Sequence, residues 1–187
     1  PLSSFLNYLS VTVDGYYNDV TDKIVAFPTT YAWKMANYGK VHVTGMDATL
    51  AAAASLGKNM VLVVSGGYTR QKAIDLTDAT SKGYKDQLPY TPKHSGNVSA
   101  VLEMPWVNVG YSIVGVSERY SMSQNIPENR IDGYMEHTVS LSRNFSFRHC
   151  KLRLQAEIIN LTDTQYDVIK YYPMPGRSWR LTGTIEF

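Results

Sequence analysis

Toward its C-terminus the chain alternates strictly. Trp179, Leu181, Gly183, Ile185 and Phe187 share one parity, and Ser178, Arg180, Thr182, Thr184 and Glu186 the other. A period of two sends successive side chains to opposite faces of a strand. A strand apolar on one face and polar on the other fits a transmembrane barrel wall. It fits the last strand of a soluble sandwich equally well, so this stretch alone leaves both open.

The same reading runs upstream. In Ser4 to Tyr17, the residues Val11, Val13 and Tyr17 oppose Ser10, Thr12 and Asp14. Asn18 to Thr30 reads as a strand end and loop, with the aromatics of Tyr31 to Asn37 in or beside it. Gly39 to Ala54 is a second strand in which Asp47 and Thr49 oppose Met46, Ala48 and Leu50. Val41 and Val43 fall on the wrong parity there, which predicts a bulge at Thr44-Gly45. Further strands follow over Met60 to Gln71, Ser95 to Met104, Val107 to Tyr120, Ile131 to Ser142 and Lys151 to Leu161. Helical periodicity is found nowhere, which excludes α/β and α+β folds.

The connections decide between the two settings. Those around Gly57, Pro105 and Phe147 are short, whereas the others, including Asp75 to Pro92 and Thr162 to Gly176, read as long polar loops. Short turns at one end and long loops at the other describe a bacterial outer-membrane barrel, and a sandwich has no reason to sort its loops this way. The expected fold is all-β, an antiparallel up-and-down meander of about eight strands forming part of a large transmembrane β-barrel. Such a row has two edges, Ser4 to Tyr17 and Arg177 to Phe187. They must close on each other, pair with a second copy, or join further strands, because open backbone groups in lipid cost several kcal/mol each.

Composition narrows the function. With 18 basic and 16 acidic residues among 187, the charge is +2, too balanced for nucleic acid or a polybasic membrane patch. Fourteen Tyr, with 3 Trp and 5 Phe, suit aromatic girdles or a binding surface. No apolar run reaches the length of a helical span; Ala48 to Leu56 is far too short. The chain opens on Pro-Leu-Ser-Ser without a charged n-region, so a cleaved signal or a partial chain is expected. One cysteine, Cys150, forms no internal disulfide and reads as an incidental thiol. No catalytic triad, carboxylate pair or metal-ligand spacing occurs on one element, so neither an enzyme nor a bound cofactor is expected. The sequons at Asn97, Asn144 and Asn160 carry no meaning in a bacterial barrel.

Four segments carry a resemblance. Tyr16-Tyr-Asn-Asp-Val-Thr-Asp-Lys-Ile24, the strand around Gly45-Met-Asp47, Asn160-Leu-Thr-Asp-Thr-Gln-Tyr166 and Pro173-Met-Pro-Gly-Arg-Ser-Trp179 resemble, in order, motifs in the C-terminal part of TonB-dependent outer-membrane receptors. Asp47 stands where the family has Glu, and Thr162 where Phe is usual. The resemblance implies a plugged barrel of about 22 strands, of which residues 1–187 would be the C-terminal portion, without plug or earlier strands. It implies a multi-pass protein of the bacterial outer membrane that imports a scarce nutrient (a ferric siderophore, haem or cobalamin). Its partners would be the TonB complex, reached through the missing N-terminal part, the outer-membrane assembly machinery and the lipid bilayer. The runner-up is a complete eight-stranded barrel with a structural or adhesive role.

Three groups of residues are singled out. The long-loop aromatics Tyr31, Trp33, Tyr84, Tyr90, Tyr171 and Tyr172 are candidates for ligand contact, since Tyr and Trp offer area at low entropic cost; an outer girdle explains them equally. Glu136, Arg153, Glu157 and Arg180 share the polar parity of successive strands and are expected to pair in the barrel wall. Trp179 and the terminal Phe187 match the family's assembly signal. Of His42, His94, His137 and His149, only His94 lies beside a long loop, and an interfacial position suits it better than haem ligation. His137 sits on the apolar parity without an evident reason.

Overall fold

The computed structural model describes residues 5–29, 31–57 and 59–187. Its strands are β1 (Leu6–Pro28), β2 (Trp33–Ser55), β3 (Val61–Asp75), β4 (His94–Glu103), β5 (Asn108–Val116), β6 (Arg119–Tyr120), β7 (Arg130–Ile131), β8 (Tyr134–Ser146), β9 (Lys151–Ile159), β10 (Asp167–Ile169), β11 (Tyr172–Pro173) and β12 (Ser178–Glu186). An 8-stranded antiparallel sheet runs in the order β1-β2-β3-β4-β5-β8-β9-β12. The pairs β6-β7 and β10-β11 are small ribbons inside two of the connections. Among the described residues β1 and β12 pair on one side only, so the sheet does not close between Leu9–Val13 and Leu181–Ile185.

Strand lengths carry the membrane argument further. A tilted strand needs about 9–11 residues to cross the hydrocarbon layer. β5, β9 and β12 have 9 and β4 has 10, while β1 and β2 have 23 each and β3 has 15. The excess projects at one end, where the connections are also long. Chain reversals at the other end are tight: Leu56 N–H donates to Met60, Met104 to Val107 and Phe147 to Cys150. Gly57, at φ 93, supplies the left-handed residue the first of them needs.

Because the pairing from Val41 of β2 through to β12 has no slip, residue parity there assigns each side chain to one of two faces. One face carries Leu9, Val11 and Val13, then Met46 to Ala54, Leu62 to Tyr68, Gly96 to Leu102, and so on to Trp179, Leu181 and Ile185 at alternate positions. This apolar face is the exposed one: Leu181 is 81% accessible, Val11 62% and Ile185 55%. Apolar area of this extent facing outward suits a lipid solvent, not water. The buried core lies on the polar face instead.

That core explains two departures from the sequence reading. The expected bulge at Thr44-Gly45 is absent, since β2 pairs without a slip with β1 from Val41 to Ala53 and with β3 from Val41 to Ser55. Val41 and Val43 do point to the polar face, and they are apolar because residues 76–93 fold over them there. With Tyr38, Ala73 and Leu88 they form the core cluster, Val41 being wholly buried. Gly45 has a packing role instead, since a Cβ there would meet the Tyr16 ring at 2.3 Å and the Arg70 carbonyl at 2.7 Å. The second departure is Asn18 to Thr30, expected to end in a loop. β1 instead continues to Pro28 and β2 begins at Trp33, with Thr29 and Ala32 hydrogen-bonded across the tip. Ser4, Thr30 and Lys58, included in the strand, loop and turn expected there, lie outside the described residues.

The loop-end connections are pinned at their bases. Gln87 is buried and accepts from Ala73 N–H at 3.1 Å, while Leu88 N–H donates to the Ala73 carbonyl. Tyr38 Oη meets Ser123 Oγ at 2.9 Å, tying residues 117–133 to β2. For residues 160–177 the anchor is Asn160, fully buried with φ 52. Its amide donates to the carbonyls of Thr164 and Pro175, and its Oδ1 accepts from Thr164 N–H at 2.9 Å. Asp163 Oδ1 accepts from Arg177 N–H at 2.8 Å, and a Cβ on Gly176 would lie 2.5 Å from that oxygen. The Asn-Leu-Thr-Asp and Pro-Gly-Arg segments are thus two halves of one clasp.

Two outcomes follow. In the full-length protein, Leu181→Arg places a charge on the apolar face at a cost of about 2–4 kcal/mol near the bilayer midplane. Thr182→Arg, one parity away, points to the polar face and is tolerated. Equal yields of heat-modifiable folded protein in lipid vesicles for the two variants contradict the face assignment. Asn160→Ala strips three part-buried backbone groups of their partner, at up to about 1–3 kcal/mol each before relaxation. Protease cleavage between residues 160 and 177 then speeds up relative to Thr162→Ala, whose hydroxyl meets only Thr164 Oγ1 at the surface. Indistinguishable cleavage rates count against the clasp.

Candidate ligand-binding face at the loop end

The loop end is organised on one buried cation. Arg119, in β6, is 5% exposed, too dry a place for a guanidinium unless its N–H groups are met. They are: Nη2 donates to the carbonyls of Asp167 at 2.6 Å and Val168 at 2.9 Å, and Nη1 to that of Asp132 at 3.5 Å. The group also lies 5.7 Å from the Tyr134 ring centre. Burial pushes its pKa down, and the neighbouring Tyr134, Tyr90 and Asp167 oppose that shift. Carbonyls and π faces therefore carry the cation, and β6-β7 is bound to β10 through it.

Beneath Arg119, Tyr134 and Tyr166 stack with centroids 4.0 Å apart and planes at 14°. Tyr166 Oη donates to Glu136 Oε2 at 2.5 Å. Burial first, and then the bond and charge of Glu136, push the Tyr166 phenol well above its ordinary range, so it stays a donor. The tyrosine that ends the Asn160–Tyr166 motif thereby ties that loop to the polar face of β8.

Of the candidate aromatics, the fold gathers Tyr90 and Tyr171. Both have left-handed backbone, φ 54 and φ 69. They share a cleft of about 120 Å³ with Pro28, Thr29, Met122 and Lys170. Tyr90 is held by its N–H donating to the Tyr120 carbonyl at 2.7 Å, and Tyr171 by its own donating to Asp167 Oδ2 at 2.9 Å. Lys170 Nζ sits 5.3 Å from the Tyr171 ring centre and also reaches the Glu128 carbonyl. Tyr31, 95% exposed, and Trp33 stand at the tip of the β1-β2 hairpin beside Pro28 and Thr29. Tyr172, in β11, is exposed on the same end, and Tyr84 lies apart from the cleft under Lys85.

The wall charges divide. Arg180 Nε meets Glu157 Oε2 at 2.5 Å across β12 and β9, where the two are directly opposite. Arg153 donates to Gln155 on its own strand at 3.3 Å, and Glu136 is taken by Tyr166. Trp179 and Phe187 are exposed on the apolar face side of β12 and at its end. Arg119 and Tyr134 were not singled out from the sequence, because a lone Arg near the end of an expected strand and a Tyr on the polar parity carry no local signal. His137 gains its reason: Nδ1 meets Tyr111 Oη at 2.7 Å on the apolar face, and His94 meets Tyr68 Oη the same way.

The cleft offers flat aromatic faces and a primary amine, with Glu128 also in its lining, a combination that suits a ligand with aromatic or planar groups. Comparison with curated proteins finds no match to the sequence. Among solved structures, the chain is similar to the ferric-catecholate import receptor Fiu from E. coli K12, at 22% identity and a TM-score of 0.66 over 94% of this chain and 25% of that one. It is similar to the siderophore receptor PiuA from Acinetobacter baumannii at 20% identity and 0.71, over 96% and 26%. It is also similar to BauA, the ferric preacinetobactin receptor of the same organism, at 14% and 0.72, over 96% and 27%. The chain thus spans about a quarter of the length of these receptors and shares their barrel fold. Residues 3–161 match the model of the TonB-dependent receptor-like β-barrel, and with the outward apolar face and the loop-end clasp they establish that the chain belongs to that family of transmembrane barrels.

Proposed function

We propose that this chain is the C-terminal part of the barrel of an outer-membrane receptor that imports an iron chelate of the siderophore class, driven through TonB. The observation that carries this reading is the Tyr90–Tyr171 cleft with Lys170, built at the loop end on the buried Arg119. Its supports are the family and the receptors of like fold, which are named for a ferric catecholate, a siderophore and ferric preacinetobactin. An anionic chelate with aryl or carboxylate groups meets two phenol rings and an ammonium there, and Tyr31 and Trp33 at the neighbouring hairpin tip extend the surface. Haem and cobalamin are the less favoured cargoes, since the receptors of like fold are named for a ferric catecholate, a siderophore and ferric preacinetobactin. The wall pairs, with Arg180–Glu157 the closest, hold β12 to β9 and take no part in ligand contact. Phe187, at the end of β12, is the residue the outer-membrane assembly machinery reads.

The test uses the intact receptor. Replacing Lys170 with Gln and Tyr171 with Asn, a residue that tolerates left-handed backbone, removes one cation and one ring. The double variant binds an iron-loaded catecholate siderophore about tenfold more weakly in fluorescence-quenching titrations, with its surface level unchanged. Unaltered affinity across catecholate, hydroxamate and citrate chelates, or tight binding of haem or cobalamin alone, refutes the assignment. Deleting Phe187 lowers the quantity recovered in the outer membrane without altering the affinity of what is recovered; a normal quantity removes it as a recognition element.

A further inference from the structure

The loop-end cleft holds two opposite charges that do not neutralise each other. Of the residues lining it, Lys170 and Glu128 are the charged ones. Lys170 Nζ reaches the backbone carbonyl of Glu128, not its carboxylate. Among the described residues that carboxylate takes part in no ion pair. Arg130, two residues on, is engaged with Glu118 Oε2 at 3.3 Å and Asp132 Oδ1 at 3.0 Å. The exposed Glu128 side chain is left to solvent or to a ligand.

Both charges stand on fixed backbone. Glu128 lies in the single 3₁₀ turn Pro127–Asn129, opened by a proline and fastened at its end to Ser121, next to β6. Ser121 N–H and Oγ donate to the Asn129 carbonyl at 2.8 and 3.1 Å, and the Asn129 amide donates to the Gln124 carbonyl at 2.9 Å. Lys170 and Tyr171 form the two-residue turn between β10 and β11, where Ile169 faces Tyr172. Arg119 holds the β10 side of that ribbon through the Asp167 and Val168 carbonyls. The ammonium, the carboxylate and the two phenol rings thus keep their places before a ligand arrives, which lowers the entropic cost of meeting them together.

An anion alone does not match this arrangement, because in a cleft of about 120 Å³ whatever reaches Lys170 also stands near an uncompensated carboxylate. We propose that the cleft selects a zwitterionic chelate, one that carries an amine or other cationic group beside its anionic iron-binding groups. Lys170 receives the anionic group, Glu128 the cationic one, and Tyr90 and Tyr171 flank the part between them. Glu128 is then the residue that sets specificity, by pairing with the amine and by repelling chelates that lack it. This deepens the chelate-import reading and rests on it.

The test uses the intact receptor and two probes. One is iron-loaded Nα-(2,3-dihydroxybenzoyl)lysine, which keeps a free ε-ammonium and a carboxylate; the other is the same compound acetylated on the ε-nitrogen. In fluorescence-quenching titrations at low ionic strength the wild type binds the free amine about three- to fivefold more tightly, the size expected of a pair at an exposed carboxylate. The preference fades as salt rises. Glu128→Gln, at a side chain with no partner to lose, keeps its surface level and abolishes the preference from both sides, weakening the free amine and tightening the acetylated form. Glu103→Gln, at the short-turn end of β4, retains the preference, which separates a local pair from a change in net charge. Equal affinity of the wild type for the two probes, or a preference that survives Glu128→Gln, overturns the proposal and leaves chelate import standing. Binding of neither probe, alongside tight binding of haem or cobalamin, sinks that reading and this proposal with it.

Discussion

Backbone pairing in a solvent that offers no hydrogen bonds is the constraint on which the rest depends. In hydrocarbon each unpaired peptide group costs several kcal/mol, so strands must pair along their whole immersed length. Here that demand is met by a register that runs from β2 to β12 without a slip. An unbroken register has a consequence for every side chain: parity alone decides whether it meets lipid or the interior. The chain thereby inverts the arrangement of a water-soluble protein, with Leu181 and Val11 outward and the core of Val41, Val43 and Leu88 on the polar face.

The same constraint separates wall from loops. The wall is held by ladder bonds and needs little from its side chains beyond cross-strand ties such as Glu157–Arg180. Loops at one end have no ladder and must satisfy their backbone otherwise. They do so through a few buried polar side chains: Gln87 for residues 76–93, Asn160 for residues 160–177, and Arg119 for the carbonyls of Asp167 and Val168. These anchors hold Tyr90 and Tyr171 in left-handed conformations and close the cleft between connections distant in sequence. An aromatic surface fixed in this way spends less entropy on ligand contact than the same residues on free loops.

The outward face also has internal structure. Tyr–His pairs recur on it at β1-β2, β3-β4 and β5-β8. Paired rings of this kind present a polar edge and an apolar body, as an interface requires. Between two of them a glycine-floored groove interrupts the wall, and above it Arg70 and Lys72 replace apolar residues on the same parity. The outward face is thereby differentiated along its length.

What the sequence determined by itself was parity: which residues oppose which, how the connections sort into short and long, and hence an antiparallel transmembrane wall. This is legible because a period of two is a local property, carried within a few residues of Leu181 or Leu50. Only the tertiary structure decided where parity ceases to mean lipid. Val41 and Val43 looked misplaced until residues 76–93 were seen to cover them, and β1 and β2 ran past the apparent loop at Asn18 because their mutual pairing, not the bilayer, sustains them. Arg119 and Tyr134 were invisible for the same reason, since their partners Asp167 and Tyr166 lie on another loop. Contacts between distant segments leave no periodic trace in either, and so the loop-end cleft belongs to the fold alone.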